Sequence, residues 1–144
     1  MTIYGIGVDL LHVPRMALLL NRRGANKIAS RILSPSERSA FCQLWQDSGS
    51  ATQFLGVRYV PRRVLLQISD IANRWAVKEA AYKALYPLRP TWKELTYTTF
   101  DPRTGSKPAL VFQPDVSDQR PRLHVSVSHD GEYILAYVVA EDVA

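Results

Sequence analysis

The sequence predicts an α+β fold in which an antiparallel sheet packs against one long helix. Helical spacing prevails up to Tyr86, whereas period-two runs rich in β-branched and aromatic residues fill most of the chain after Pro90. Between the two lies Arg74–Leu85, dense in good helix formers, free of Gly and Pro, and closed by Pro87. At about 100° per residue Ala76, Ala80 and Ala84 form a narrow strip beside Val77, so this helix can lie close on a sheet.

Taken in order, Ile3–Leu10 alternates strictly, with Tyr4, Ile6, Val8 and Leu10 on one face and Gly5, Gly7 and Asp9 on the other. Two glycines strip that second face, which lets a ligand or another backbone come near. This is no Rossmann fingerprint, because Leu10 stands where the third glycine belongs. Pro14 suits the first turn of a helix through Met16–Leu20 to Arg22 and Arg23, with Gly24 as its stop. Ser34-Pro35-Ser36-Glu37 has capping-box spacing with Pro at the first helical position, so a second helix runs to about Trp45. Asp47–Gln53 is small and polar and reads as loop. After Pro61 a third helical run extends from about Arg62 to Tyr86. Leu95–Phe100 and Ala109–Phe112 form one hairpin, and Leu123–His129 and Tyr133–Val139 form another around Asp130-Gly131-Glu132.

A chain of 144 residues suits a single domain over residues 1–144 and is long enough to bury a sizeable core. Hydrophobic content of 47% with 22% charge is ordinary for a globular protein, and no apolar run approaches a membrane span. The N-terminus lacks the regions of a signal peptide. Cys42 is the only cysteine, so neither a disulfide nor a cysteine-based zinc site can form; in its apolar helical stretch it reads as inert core packing. The net charge of +5 points to an anionic partner: nucleic acid, an acidic protein or a phosphorylated ligand.

The candidate chemistry collects at element ends. Asp9 terminates a strand, Glu79 projects from the long helix, and His129 ends another strand. Two carboxylates without cysteine describe a site for a hard cation such as Mg²⁺, which completes its shell with water and substrate phosphate oxygens. Lys83, one turn from Glu79, is placed to hold a phosphate, with Arg74 and Lys78 adding positive charge. The plainer alternative is a solvated helix with one weak Glu-to-Lys pair.

Three stretches in order decide between these. Gly5-Ile6-Gly7-Val8-Asp9 with Arg15 beyond it, Arg74-Trp75-Ala76-x-Lys78-Glu79-Ala80-x-x-Lys83-Ala84, and Val125-Ser126-Val127-Ser128-His129 closely resemble the three motifs of 4′-phosphopantetheinyl transferases. Size and motif order resemble the small holo-acyl-carrier-protein synthase group. Arg31–Ser34 through Glu37 and Gly105-Ser106-Lys107-Pro108 also look like family segments.

That resemblance implies Mg²⁺-dependent transfer of the phosphopantetheine arm of coenzyme A to a serine of an acyl carrier protein, releasing adenosine 3′,5′-bisphosphate. It matches Asp9 and Glu79 to metal ligands, Lys83 and His129 to contacts with coenzyme A phosphates, and Arg15 to carrier docking. The same resemblance implies that Glu79, or a metal-bound water it orients, is the base for the carrier serine. Ser128 joins the phosphate contacts through its motif, and Arg22 and Arg23 extend the docking surface of Arg15. The family also implies a homotrimer with its sites between subunits. His12 and Pro14 stand where bacterial members carry acidic residues, and the stretch from about Asp47 to Val60 is longer than theirs. These departures point to a mitochondrial member, cytoplasmic location being the alternative.

Two rivals are a basic nucleic-acid-binding module and a catalytically silent coenzyme A-binding protein. The first needs basic residues interleaved with aromatics on an exposed sheet, and the C-terminal strands carry almost no Lys or Arg. The second leaves both carboxylates and Lys83 without a use. The expected partners are therefore coenzyme A and an acidic carrier, with neither nucleic acid nor membrane.

Overall fold

A computed structural model describes residues 2–45, 62–99, 101, 103–115 and 120–142. The polar stretch around Asp47–Gln53, read above as loop, lies outside the described residues, as does Pro61. The elements run β1 (Thr2–His12), α1 (Val13–Arg23), α2 (Ala25–Ile32), α3 (Pro35–Trp45), α4 (Arg62–Leu85), a 3-10 turn (Trp92–Glu94), β2 (Leu95–Thr98), β3 (Ala109–Phe112), β4 (Arg122–Asp130) and β5 (Tyr133–Asp142). The expected α+β class, the long helix and both hairpins are present. Among the described residues every strand pair is antiparallel: a three-stranded sheet in the order β1-β5-β4 and a two-stranded sheet β2-β3.

Helix α4 packs across β1 and β5, and its alanine strip makes this possible. Ala76, Ala80 and Ala84 are fully buried. On the facing strand, a Cβ on Gly7 would lie 1.9 Å from the Ala80 carbonyl oxygen, and one on Gly5 would lie 2.2 Å from that of Ala84. The bare glycine face of β1 thus admits a helix backbone rather than a ligand, as one of the two expected uses of such a face. Asp9 shares this face and meets α4 at its end.

Several features depart from the sequence reading. Tyr4 does not stay with Ile6, Val8 and Leu10: the register of β1 against β5 slips between Ile3 and Gly5, so Tyr4 turns to the core and Ile3 turns out. The apolar face that remains, Ile6, Val8 and Leu10, is 47–64% exposed in the single chain. An extra helix, α2, follows Gly24, which has φ +84° and both stops α1 and precedes α2. Its amphipathic face buries Ala25, Ile28, Ala29 and Ile32. Cys42 is exposed and is not core packing, because α3 buries the Glu37 and Phe41 side and turns Cys42 away from it.

Candidate active site

The last residues of β1, the first turn of α1 and the middle of α4 enclose a cleft of about 330 Å³ lined by Asp9, His12, Arg15, Trp75 and Glu79 among others. Asp9 is brought there by strand parity and Glu79 by its place one turn after Trp75 on α4. Lys83, one turn further, donates to Asp9 Oδ1 at 2.9 Å and to the Val8 carbonyl at 2.8 Å. Its side chain is half exposed, that of Asp9 only 19%. Partial burial raises the Glu79 pKa, and the nearby Asp9 charge raises it further while Lys83 opposes both. The cluster therefore holds more negative charge than it can comfortably keep.

Such a pair fits a hard dication. Among the described residues no group of three or more His, Cys, Asp or Glu is placed to hold a metal, so Asp9 and Glu79 would leave most of the coordination shell to water and phosphate oxygens. Glu79 also lines a second cavity, of about 250 Å³, with Lys78, Tyr82, Pro90, Trp92 and Leu95. One carboxylate thus stands between two approaches. Trp75 and Trp92 form part of the wall between them, their ring centroids 4.9 Å apart.

Arg74 and Lys78 do not serve the site as the sequence led us to expect. Both point inward, to Glu37 on α3. Lys78 is fully buried and commits its three donors to the Ile32 and Trp92 carbonyls and to Glu37 Oε2. Arg74 binds Glu37 Oε1 at 3.1 Å, the Tyr97 carbonyl at 2.9 Å and Asp70 at 3.0 Å. Burial lowers the Lys78 pKa, with Glu37 opposing and Arg74 assisting. Burial acts against the charge on Arg74 too, but Asp70 and Glu37 more than offset it and hold that pKa above its ordinary value. Their four-residue spacing puts the two cations in one column of the helix, but spacing does not show what faces them.

Glu37 is the residue that sequence reasoning undervalued. Its capping-box role is real: Oε2 accepts from the Ser34 amide at 2.7 Å. The same carboxylate also accepts from Arg74, Lys78 and the Tyr97 amide, so it ties α3, α4 and β2 together. Its sequence signals are the capping-box spacing and its place in a family-like segment, and neither points to Arg74 or Lys78.

The remaining candidates lie elsewhere. His129 is exposed and its Nε2 lies 2.7 Å from Asn73 Oδ1 on α4. It faces Ile134, which faces Leu11, so β5 separates it from the strand that carries Asp9. At roughly 5 Å per strand spacing, one chain keeps His129 about 10 Å from β1. Ser128 is exposed on the edge strand β4. Arg15, Arg22 and Arg23 are all exposed on α1, and of these Arg15 reaches the cleft. Lys107 and Pro108 line a groove of about 700 Å³ between β3 and β4.

With the geometry in hand, comparison with known proteins is decisive. The family model of the 4′-phosphopantetheinyl transferase superfamily matches residues 5–138. The chain belongs to this family. It is 30% identical to a mitochondrial holo-(acyl-carrier-protein) synthase of Candida glabrata, over 99% of this chain and 97% of that protein. Among solved structures it resembles the holo-(acyl-carrier-protein) synthase of Neisseria meningitidis, with a TM-score of 0.70, 27% identity, and coverage of 98% of this chain and 100% of that one. It also resembles the synthase of Bacillus anthracis in complex with coenzyme A (3′,5′-ADP), with a TM-score of 0.63, 25% identity, and coverage of 99% and 100%. The fold and the transferase family expected from the three motifs are therefore established.

Proposed function

We propose that this chain is a holo-(acyl-carrier-protein) synthase that moves the 4′-phosphopantetheine arm of coenzyme A onto a serine of an acidic acyl carrier protein. The observation that carries the reading is Glu79, a carboxylate paired with Asp9 and shared by two cavities, which gives two substrates separate approaches to one group. Asp9 and Glu79 would hold Mg²⁺, which supplies charge neutralisation on the pyrophosphate. Lys83 offers its ammonium to the phosphates. The carrier serine enters from the Arg15 side, and Glu79 takes its proton, directly or through a water, as the oxygen attacks phosphorus. The bond to the bridging oxygen breaks and adenosine 3′,5′-bisphosphate leaves.

The separation of His129 from Asp9 in one chain, together with the exposed apolar face of β1 and β5, supports a homotrimer in which His129 and Ser128 of one subunit approach coenzyme A held by the next. Arg15, with Arg22 and Arg23 behind it, provides the positive surface that an acidic carrier needs. Likeness to the mitochondrial yeast enzyme supports a mitochondrial site of action. Incubation of the protein with coenzyme A, Mg²⁺ and apo-carrier tests the function: the carrier gains the mass of one phosphopantetheine. Unchanged carrier mass across mitochondrial and bacterial carriers would refute it.

A further inference from the structure

We propose that Lys83 couples the two ligands of this site, making cation binding at Asp9 and Glu79 conditional on a diphosphate-bearing ligand; the inference rests on the transferase reading above. Lys83 already occupies the carboxylate a cation would use. Its ammonium is 2.9 Å from Asp9 Oδ1 and is held there by a second bond to the Val8 carbonyl at 2.8 Å. Asp9 is mostly shielded from solvent, so it has few free faces to offer a cation while Lys83 stays.

Charge accounting points the same way. Asp9 and Glu79 bring two negative charges to the cleft, and Lys83, bonded to Asp9, offsets one of them. A dication arriving alone therefore meets a weakened attraction and an ammonium on its ligand. Lys83 is half exposed on a flexible stem and can swing away, but only by giving up both of its acceptors. A diphosphate supplies new acceptors for the ammonium and adds negative charge beside the carboxylates. It therefore frees Asp9 and attracts the cation in one step. Lys78 on the same helix cannot do this, since its donors are spent inside the fold. By linkage the effect is reciprocal: the cation must tighten coenzyme A binding by the same factor.

The test uses the full chain with Mn²⁺ as a paramagnetic probe, read by electron spin resonance, after subtraction of Mn²⁺ bound by coenzyme A itself. For the unaltered protein, saturating coenzyme A should tighten Mn²⁺ binding by about tenfold or more, a typical coupling. Adenosine 3′,5′-bisphosphate, which has no diphosphate, should do so far less. In Lys83→Met, Mn²⁺ should bind more tightly without coenzyme A, and the coupling factor should fall toward one. Unchanged Mn²⁺ affinity and coupling in Lys83→Met would overturn the proposal while leaving the site intact. Undiminished Mn²⁺ binding by Asp9→Asn in the presence of coenzyme A would instead overturn the carboxylate site on which it rests.

Discussion

Glu79 illustrates how function at a single residue is set against stability. Its pKa is raised by burial and by Asp9, so its ionised form is disfavoured in the folded protein. A raised folded pKa means that stability is fullest below the unfolded pKa and declines as pH rises through the folded one. Glu79→Gln should therefore melt no lower than the unaltered chain at pH 7.5, and any advantage should vanish at pH 4, where the native carboxyl is itself protonated. The same variant, and Asp9→Asn, should lose roughly a hundredfold or more in carrier modification, the usual cost of removing one charge from an electrostatic site. Calorimetry at two pH values reads the first half and carrier mass reads the second; near-normal turnover by either variant would remove the metal-ligand assignment. Arg15 makes a different prediction, because it is exposed at the mouth of the cleft and outside its ion pairs. Arg15→Glu should raise the KM for carrier about tenfold at low salt and flatten its salt dependence, with coenzyme A affinity unchanged. Equal KM values for the two proteins would place the acidic partner elsewhere.

At the level of elements, two contacts hold the site in register. The first is β1 on α4, where glycine is required by space alone. A Cβ on Gly7 would sit 1.9 Å from the Ala80 carbonyl oxygen and 2.7 Å from the Ala84 nitrogen, both backbone atoms that cannot swing aside. Gly7→Ala should cost at least about 3 kcal/mol, the upper end of overpacking penalties, whereas Val8→Ala on the open face should cost the single chain little. Urea unfolding of the two variants compares them directly. The second contact is the buried Glu37 network. Glu37→Gln leaves Lys78 and Arg74 without their shared carboxylate and should cost about 3–5 kcal/mol; a loss under about 1 kcal/mol would show the network to be dispensable. These contacts also mark what sequence could reveal. The alanine strip, the glycines of β1 and the capping box are local patterns with local causes, and each appears in the fold as read. The destination of Arg74 and Lys78 is not local: it depends on Glu37, 37 and 41 residues away, and on the Tyr97, Ile32 and Trp92 backbone. The helix α2 was hidden because Gly24 was a sufficient stop for α1, and nothing nearby marks it as the start of another. Asp9, Glu79 and Lys83 were legible because motif and periodicity agreed, and their contact in space follows from strand parity meeting helix pitch.

For the whole molecule the open question is what covers the outer face of the β1-β5-β4 sheet. Ile6, Val8 and Leu10 from β1 and Tyr133, Leu135 and Tyr137 from β5 are all 41–64% exposed, and they adjoin one another across the register Val8↔Tyr137, Leu10↔Leu135. A contiguous apolar face of this kind marks an interface rather than a solvated surface. Covering it by a second copy also answers the chemistry, since His129 and Asp9 are kept apart by β5 within one chain. A closed ring repeats one heterologous contact, and three copies would give three equal sites. Light scattering should therefore return a mass near three times the 16.3 kDa of the chain, and Leu10→Asp, which places charge in the middle of the face, should return the single-chain mass with activity lost. Sharing of sites between subunits has its own signature. Asp9→Asn and His129→Ala chains, each inactive alone, should regain activity when unfolded together and refolded as mixed rings, because random assortment restores both native residues in about a quarter of the sites. Mixtures no more active than their parents, from rings shown to contain both chains, would mean that each chain completes its own site and that the apolar face serves assembly alone.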